Sequence, residues 1–162
     1  MRFVLVGILL AILPGCAPDL DQIDAEVSRV CVRDLAMPFA GTANGPATSR
    51  IDISRLDIDM GDLVGATVTL DSVELAPGAG ISDFAFADSI RVDLTARSQD
   101  PAYSLVDVGE VGAASPVRGG SDSTDLTPYL EDSSAGLEIV VAGDVPATPW
   151  AATLAICLSV ES

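Results

Sequence analysis

From Glu26 onward the chain is a series of short β-branched runs, and several alternate apolar and polar residues with a period of two. In 88–96 (DSIRVDLTA), Ile90, Val92 and Leu94 fall on one side, and Arg91, Asp93 and Thr95 on the other. In 136–142 (GLEIVVA), Leu137, Ile139 and Val141 share a side. In 151–160 (AATLAICLSV), Leu154, Ile156, Leu158 and Val160 do the same. Successive side chains of a strand point to opposite faces, so this period predicts strands with one face on a core. Four more segments are predicted as strands: 26–34 (EVSRVCVRD), 48–58 (TSRIDISRLDI), 65–76 (GATVTLDSVELA) and 102–108 (AYSLVDV).

Two runs change phase. Ile51 and Ile53 are odd-numbered while Leu56 and Ile58 are even; Val68 and Leu70 are even while Val73 and Leu75 are odd. One extra residue turns a period-two pattern over, so each slip predicts a β-bulge or a break. PGAG (77–80), SPVRGG (115–120) and GDVPATP (143–149) are turn chemistry. One short helix is expected at 124–131, with Thr124 or Asp125 as N-cap. There is no βαβ alternation, which argues against a parallel sheet. The expected fold class is therefore all-β, a single antiparallel β-sandwich of about seven strands.

The first residues follow a different rule. Arg2 precedes an apolar run from Phe3 to Leu13, which is shorter than the roughly 20 residues a spanning helix needs. A charged start, a short apolar centre and small residues at its end describe a secretory signal. Leu13-Pro14-Gly15-Cys16 resembles the bacterial lipobox, with Pro14 a departure from the commoner small or β-branched residue. The resemblance implies cleavage before Cys16, lipidation of its thiol, and, with Ala17 next, delivery to the outer membrane, facing the periplasm or the cell surface. Two or more acyl chains suffice for stable anchoring. The competing reading is an ordinary secretory signal with a chance cysteine. The domain plan is thus a lipoprotein signal peptide at 1–15, an acidic tether at 16–25 and the β-sandwich at 26–162.

FAFADSIRVDL (84–94), LTPYL (126–130), GLEIVVAGDVP (136–146) and ATLAICLSV (152–160) together resemble small, uncharacterised bacterial lipoproteins. That resemblance implies a single immunoglobulin-like sandwich with an aspartate-serine turn, Asp88-Ser89, entering a strand. It implies no active site.

Charge narrows the partners. Asp and Glu number 24 against 8 basic residues, for a net charge of −16 that becomes −17 once Arg2 is removed. Such a surface repels nucleic acid and anionic lipid head groups, so no nucleic-acid partner is expected. The membrane is reached through the lipid on Cys16, and the further partner is an unidentified envelope protein or glycan. The chain has no His and no Lys. Ser-His-Asp and Cys-His nucleophile systems are therefore excluded within this chain, and no phosphate-binding Gly loop is present. No cofactor is expected. Carboxylates are plentiful, but no pair stands out as the acid and base of a glycosidase.

The individual candidates are few. Asp57, Asp59 and Asp62 in DIDMGD could hold calcium, but the EF-hand spacing is not met, and Ile58 and Met60 read equally as the core face of a strand end. The adopted reading is no metal. Trp150 is expected to cap one end of the core with its N–H bonded to a carbonyl, and Tyr103 and Tyr129 are the other amphipathic rings, able to stack on sugars or peptides if exposed. Phe84 and Phe86 are expected in the core. Cys31 and Cys157 are the thiols left after lipidation, an even pair in an oxidising compartment, each out of phase with its strand's apolar stripe. They are predicted to form a disulfide; the alternative is two buried free thiols. The expected function is a lipid-anchored envelope sandwich with a structural, adhesive or partner-binding role and no catalysis. The alternatives are a ligand-binding lipoprotein for calcium or glycan and, after it, a carboxylate-based hydrolase.

Overall fold

Among the described residues, eight antiparallel strands pair as one long hairpin folded over on itself. The structure, a computed structural model, describes residues 27–42, 45–55, 65–112 and 116–161. The strands are β1 (Val27–Phe39), β2 (Ala47–Asp52), β3 (Thr67–Pro77), β4 (Ala87–Ala96), β5 (Gln99–Gly109), β6 (Val117–Gly119), β7 (Gly136–Gly143) and β8 (Trp150–Glu161), with one helical turn, α1 (Thr127–Leu130). β1 pairs with β8, β2 with β7, β3 with β6 and β4 with β5. Alternate pairs go to opposite layers, giving sheet orders β1-β8-β3-β6 and β2-β7-β4-β5. The antiparallel β-sandwich is as the sequence predicts. Its wiring is that of an eight-stranded jelly roll, whereas an immunoglobulin sandwich divides seven strands differently between its sheets.

The period-two pattern is realised directly. Ile90, Val92 and Leu94 of β4, Leu137, Ile139 and Val141 of β7, and Leu154 and Leu158 of β8 are buried between the sheets, with Met37, Phe39, Leu75 and Phe84. The phase slip in β3 is a bulge: the register shifts between Leu70 and Ser72, so Val68 and Leu70 before it and Val73 and Leu75 after it all face the core. The slip expected after Ile53 is a break instead. β2 stops at Asp52 and the chain enters a 3-10 turn, Ile53–Arg55. A further bulge, beyond the two expected slips, lies in β1 between Val32 and Leu35, where Asp34 has φ 56°. It lets Met37 and Phe39 turn inward and Pro38 outward.

Three local expectations need correction. The SPVRGG segment contains a strand, β6, whose Val117 is buried and whose Arg118 pairs with Glu74 across the β3 register. The helix at 124–131 shrinks to one turn; Leu126 occupies the N-cap without a side-chain cap bond, while Asp125 Oδ1 accepts the Thr127 N–H at 3.0 Å. Asp88 and Ser89 lie inside β4. The turn before that strand is made by Asp83, whose Oδ1 accepts the Ala85 N–H at 2.9 Å. An aspartate two residues ahead of an amide is what such a turn needs, and Asp83 is placed for it.

Candidate functional site

Cys31 and Cys157 are registered partners on β1 and β8, with Cα atoms 4.1 Å apart, and they form a disulfide. Cys31 is exposed and Cys157 buried on the outer face of the sheet. The bond ties the outermost pair of the nested hairpin, whose two strands are furthest apart in sequence. Cys16 and the signal and tether segments lie outside the described residues, as do Asp57, Asp59 and Asp62. Among the described residues no three His, Cys, Asp or Glu side chains cluster as metal ligands.

The aromatics divide in two. Trp150 is buried, stacks on Phe39 at 3.9 Å between ring centroids and takes the edge of Phe86 at 5.4 Å. It caps the core as expected, but its Nε1–H has no hydrogen-bond partner among the described residues. Phe84 is fully in the core and Phe86 half-buried against it. Tyr103 and Tyr129 lie on the outside, half-buried, with ring centroids 6.1 Å apart. Tyr129 Oη donates to the Pro101 carbonyl at 3.1 Å. Burial raises the Tyr103 hydroxyl above its ordinary pKa, and its neighbour Asp122 is lowered from its ordinary value chiefly by the Thr124 hydroxyl.

The most organised surface is at the end of the sandwich where β2, β4 and β7 meet the 131–135 loop. Asp132 is its lock. Its Oδ1 accepts the Ser134 N–H and hydroxyl, each at 2.7 Å, and its Oδ2 accepts the Ser98 N–H at 2.8 Å. Ser134 Oγ in turn accepts the Arg97 N–H at 2.9 Å. The tight β4–β5 turn is therefore pinned to the loop through its own backbone. The Ser134 and Ser98 hydroxyls and amides together hold the Asp132 carboxyl far below the usual carboxylate range.

Beside this lock opens a polar cleft of about 610 Å³. Arg50, Asp52 and Ser54 form one wall, Thr95 and Arg97 another, and Ser133 and Ser134 the third. Arg50 is positioned from three sides. Its Nη2 donates to the Ser134 carbonyl at 2.9 Å, its Nη1 lies 3.8 Å from Glu138 Oε2, and its guanidinium rests over Gly136. A Cβ on Gly136 would come within 2.8 Å of Arg50 Nη2, so the glycine makes the room. Arg97 forms no ion pair among the described residues. The cleft borders a recess of about 410 Å³ lined by Ile53, Leu130 and Ala135, but these side chains are nearly buried and offer little open surface.

None of the cleft residues was singled out by the sequence. DSS at 132–134 is a recognisable turn signature, but its meeting with Arg50 and Arg97 depends on strand pairings far apart in the chain.

No protein-family model matches the chain, and no curated protein matches it either. Solved structures resemble it in shape. A chain of Desmodium yellow mottle tymovirus is 12% identical with a TM-score of 0.37, covering 99% of this chain and 94% of that one. A chain of the cowpea mosaic virus top component, naturally occurring empty particles, is 11% identical with a TM-score of 0.40, covering 81% and 84%. A chain described as "CBM4 structure and function" is 14% identical with a TM-score of 0.33, covering 82% and 94%. These likenesses concern the sandwich, and the strand order above defines it independently.

Proposed function

We propose that this protein is a lipid-anchored β-sandwich of the bacterial cell envelope whose domain acts by binding rather than by catalysis. The address rests on the lipobox-like Leu13-Pro14-Gly15-Cys16 after a short apolar run. The binding reading is carried by one observation: the solvent-open cleft at Arg50 and Arg97 is held rigid by Asp132 and its hydrogen bonds. A rigid polar cleft recognises a ligand at low ordering cost. With no His or Lys in the chain, the usual bases for activating its serines are missing. A ligand-binding role takes precedence over a purely structural one because a scaffold needs no such preorganised recess. The bilayer is reached through acyl chains on Cys16, and the domain stands on the outer membrane.

The test is metabolic labelling with a clickable palmitate in a Gram-negative host. Wild type takes up label and fractionates with the outer membrane, while Cys16→Ala stays unlabelled at precursor mass. Equal labelling of both would sink the anchoring. Turnover of a glycan or ester by pure protein, lost on changing a single Asp or Glu, would sink the non-catalytic reading.

A further inference from the structure

We infer that the Arg50–Arg97 cleft binds an acidic sugar, a hexose ring bearing one carboxylate. The inference rests on the binding reading above and names the ligand class of that same cleft. A guanidinium carries five N–H donors, and Arg50 spends one on the Ser134 carbonyl at 2.9 Å. Its Nη1 faces Glu138 Oε2 at 3.8 Å, an ion pair longer than a hydrogen bond, and the guanidinium of Arg97 has no ion pair or hydrogen bond among the described residues. Two guanidiniums with unspent donors match a carboxylate, which arginine takes in bidentate fashion.

The rest of the lining selects the body of the ligand. Asp52 accepts from hydroxyls, and the exposed Ser54 and Ser133 both donate and accept. A ring covered in hydroxyls satisfies those groups; an alkyl chain would leave them unpaired. The cleft volume of about 610 Å³ lies within the usual range of small-ligand sites, about 300–1,000 Å³.

Charge limits the ligand to few anionic groups. Two of the protein's eight arginines meet here, in a chain of net charge −16. At physiological ionic strength the screening length is about 8 Å, so the distant acids weaken binding of a single carboxylate little. A polyanion extending beyond the cleft meets those acids directly, and Asp52 and Glu138 beside the arginines offset part of their charge, leaving enough for one carboxylate and not for two.

The experiment is a titration of the isotope-labelled full-length protein in detergent, followed by amide NMR, with D-glucuronate as the probe. Glucose, acetate and inorganic phosphate are parallel arms. Expected are saturable shifts at Arg97, Ser133 and Ser134, with glucuronate at least tenfold tighter than glucose or acetate. Arg97→Ala, on an exposed turn, weakens glucuronate at least tenfold. Gly136→Ala, which displaces the Arg50 guanidinium without removing its charge, weakens it as well. Arg118→Ala, on the opposite sheet, leaves it unchanged. Glucose binding as well as glucuronate, acetate or phosphate binding as well as glucuronate, an unaffected Arg97→Ala variant, or no saturable shift would each overturn the inference. None of these results bears on palmitate labelling, so the anchoring stands or falls separately.

Discussion

Removing the Cys31–Cys157 bond should weaken the domain substantially while leaving its fold intact. The bond joins residues 126 apart in sequence. In the chain-entropy treatment a loop of 100 residues is worth about 4.7 kcal/mol, and one of this length about 5 kcal/mol. The stabilisation acts through the unfolded chain, which loses freedom when its two ends are tied. The native strands have much other pairing to hold them: β1 and β8 pair from Val27↔Glu161 to Phe39↔Trp150 on both sides of the Asp34 bulge. A Cys31→Ala, Cys157→Ala double variant should therefore keep the wild-type far-ultraviolet circular dichroism. Its Tm should fall by about 15 °C, at about 3 °C per kcal/mol for a domain of this size. Wild type heated in a phosphine reductant should behave alike, since the Cys31 side is exposed. A double variant melting within about 3 °C of wild type would refute the entropic reasoning. Alkylation of both cysteines in unfolded, unreduced protein would show that the bond does not form.

Other expectations follow from the packing and the loops. Leu154→Ala, at a fully buried position in an inner strand of its sheet, should cost about 2–5 kcal/mol in urea unfolding. Gly143→Ala should destabilise because its φ is 135° and a Cβ would sit 2.4 Å from the Phe86 carbonyl oxygen; the same unfolding assay reads it. Asp132, Asp122 and Asp125 all have folded pKa values below their unfolded ones. Their contribution is therefore present above the ordinary carboxylate pKa of about 3.9 and is lost as pH falls through the lower folded values. Urea midpoints should hold steady from about pH 7 to 5 and fall below about pH 4, with Asp132→Ala flattening the acid limb.

Legibility in the sequence followed the range of the interaction. β4, β7 and β8 alternate cleanly because each has one buried face, and that signal is local. The bulge in β3 was also visible, because an extra residue flips the parity of every apolar position after it. The disulfide was legible from chemistry and parity together. Three residues of β6 are too short to show a period, and Gly119 with the following Gly120 resembles a turn. The Asp34 bulge carries the same parity flip, from Val30 and Val32 to Leu35, Met37 and Phe39, but it lies at the end of the expected strand 26–34, so the flip fell outside the run that was read. Of the jelly-roll order only the meeting of β1 and β8 was legible, through the predicted disulfide; the other pairings rest on contacts that no local pattern encodes. The cleft shares that difficulty, since Arg50, Arg97 and Asp132 come from three segments joined only by the sheet.

Intact mass spectrometry of the protein extracted from its native envelope tests the central claim most directly. The account predicts a chain beginning at Cys16, carrying diacylglycerol on sulfur and an oxidised Cys31–Cys157 pair. A chain cleaved elsewhere, or one beginning at Cys16 with no acyl mass, would contradict it.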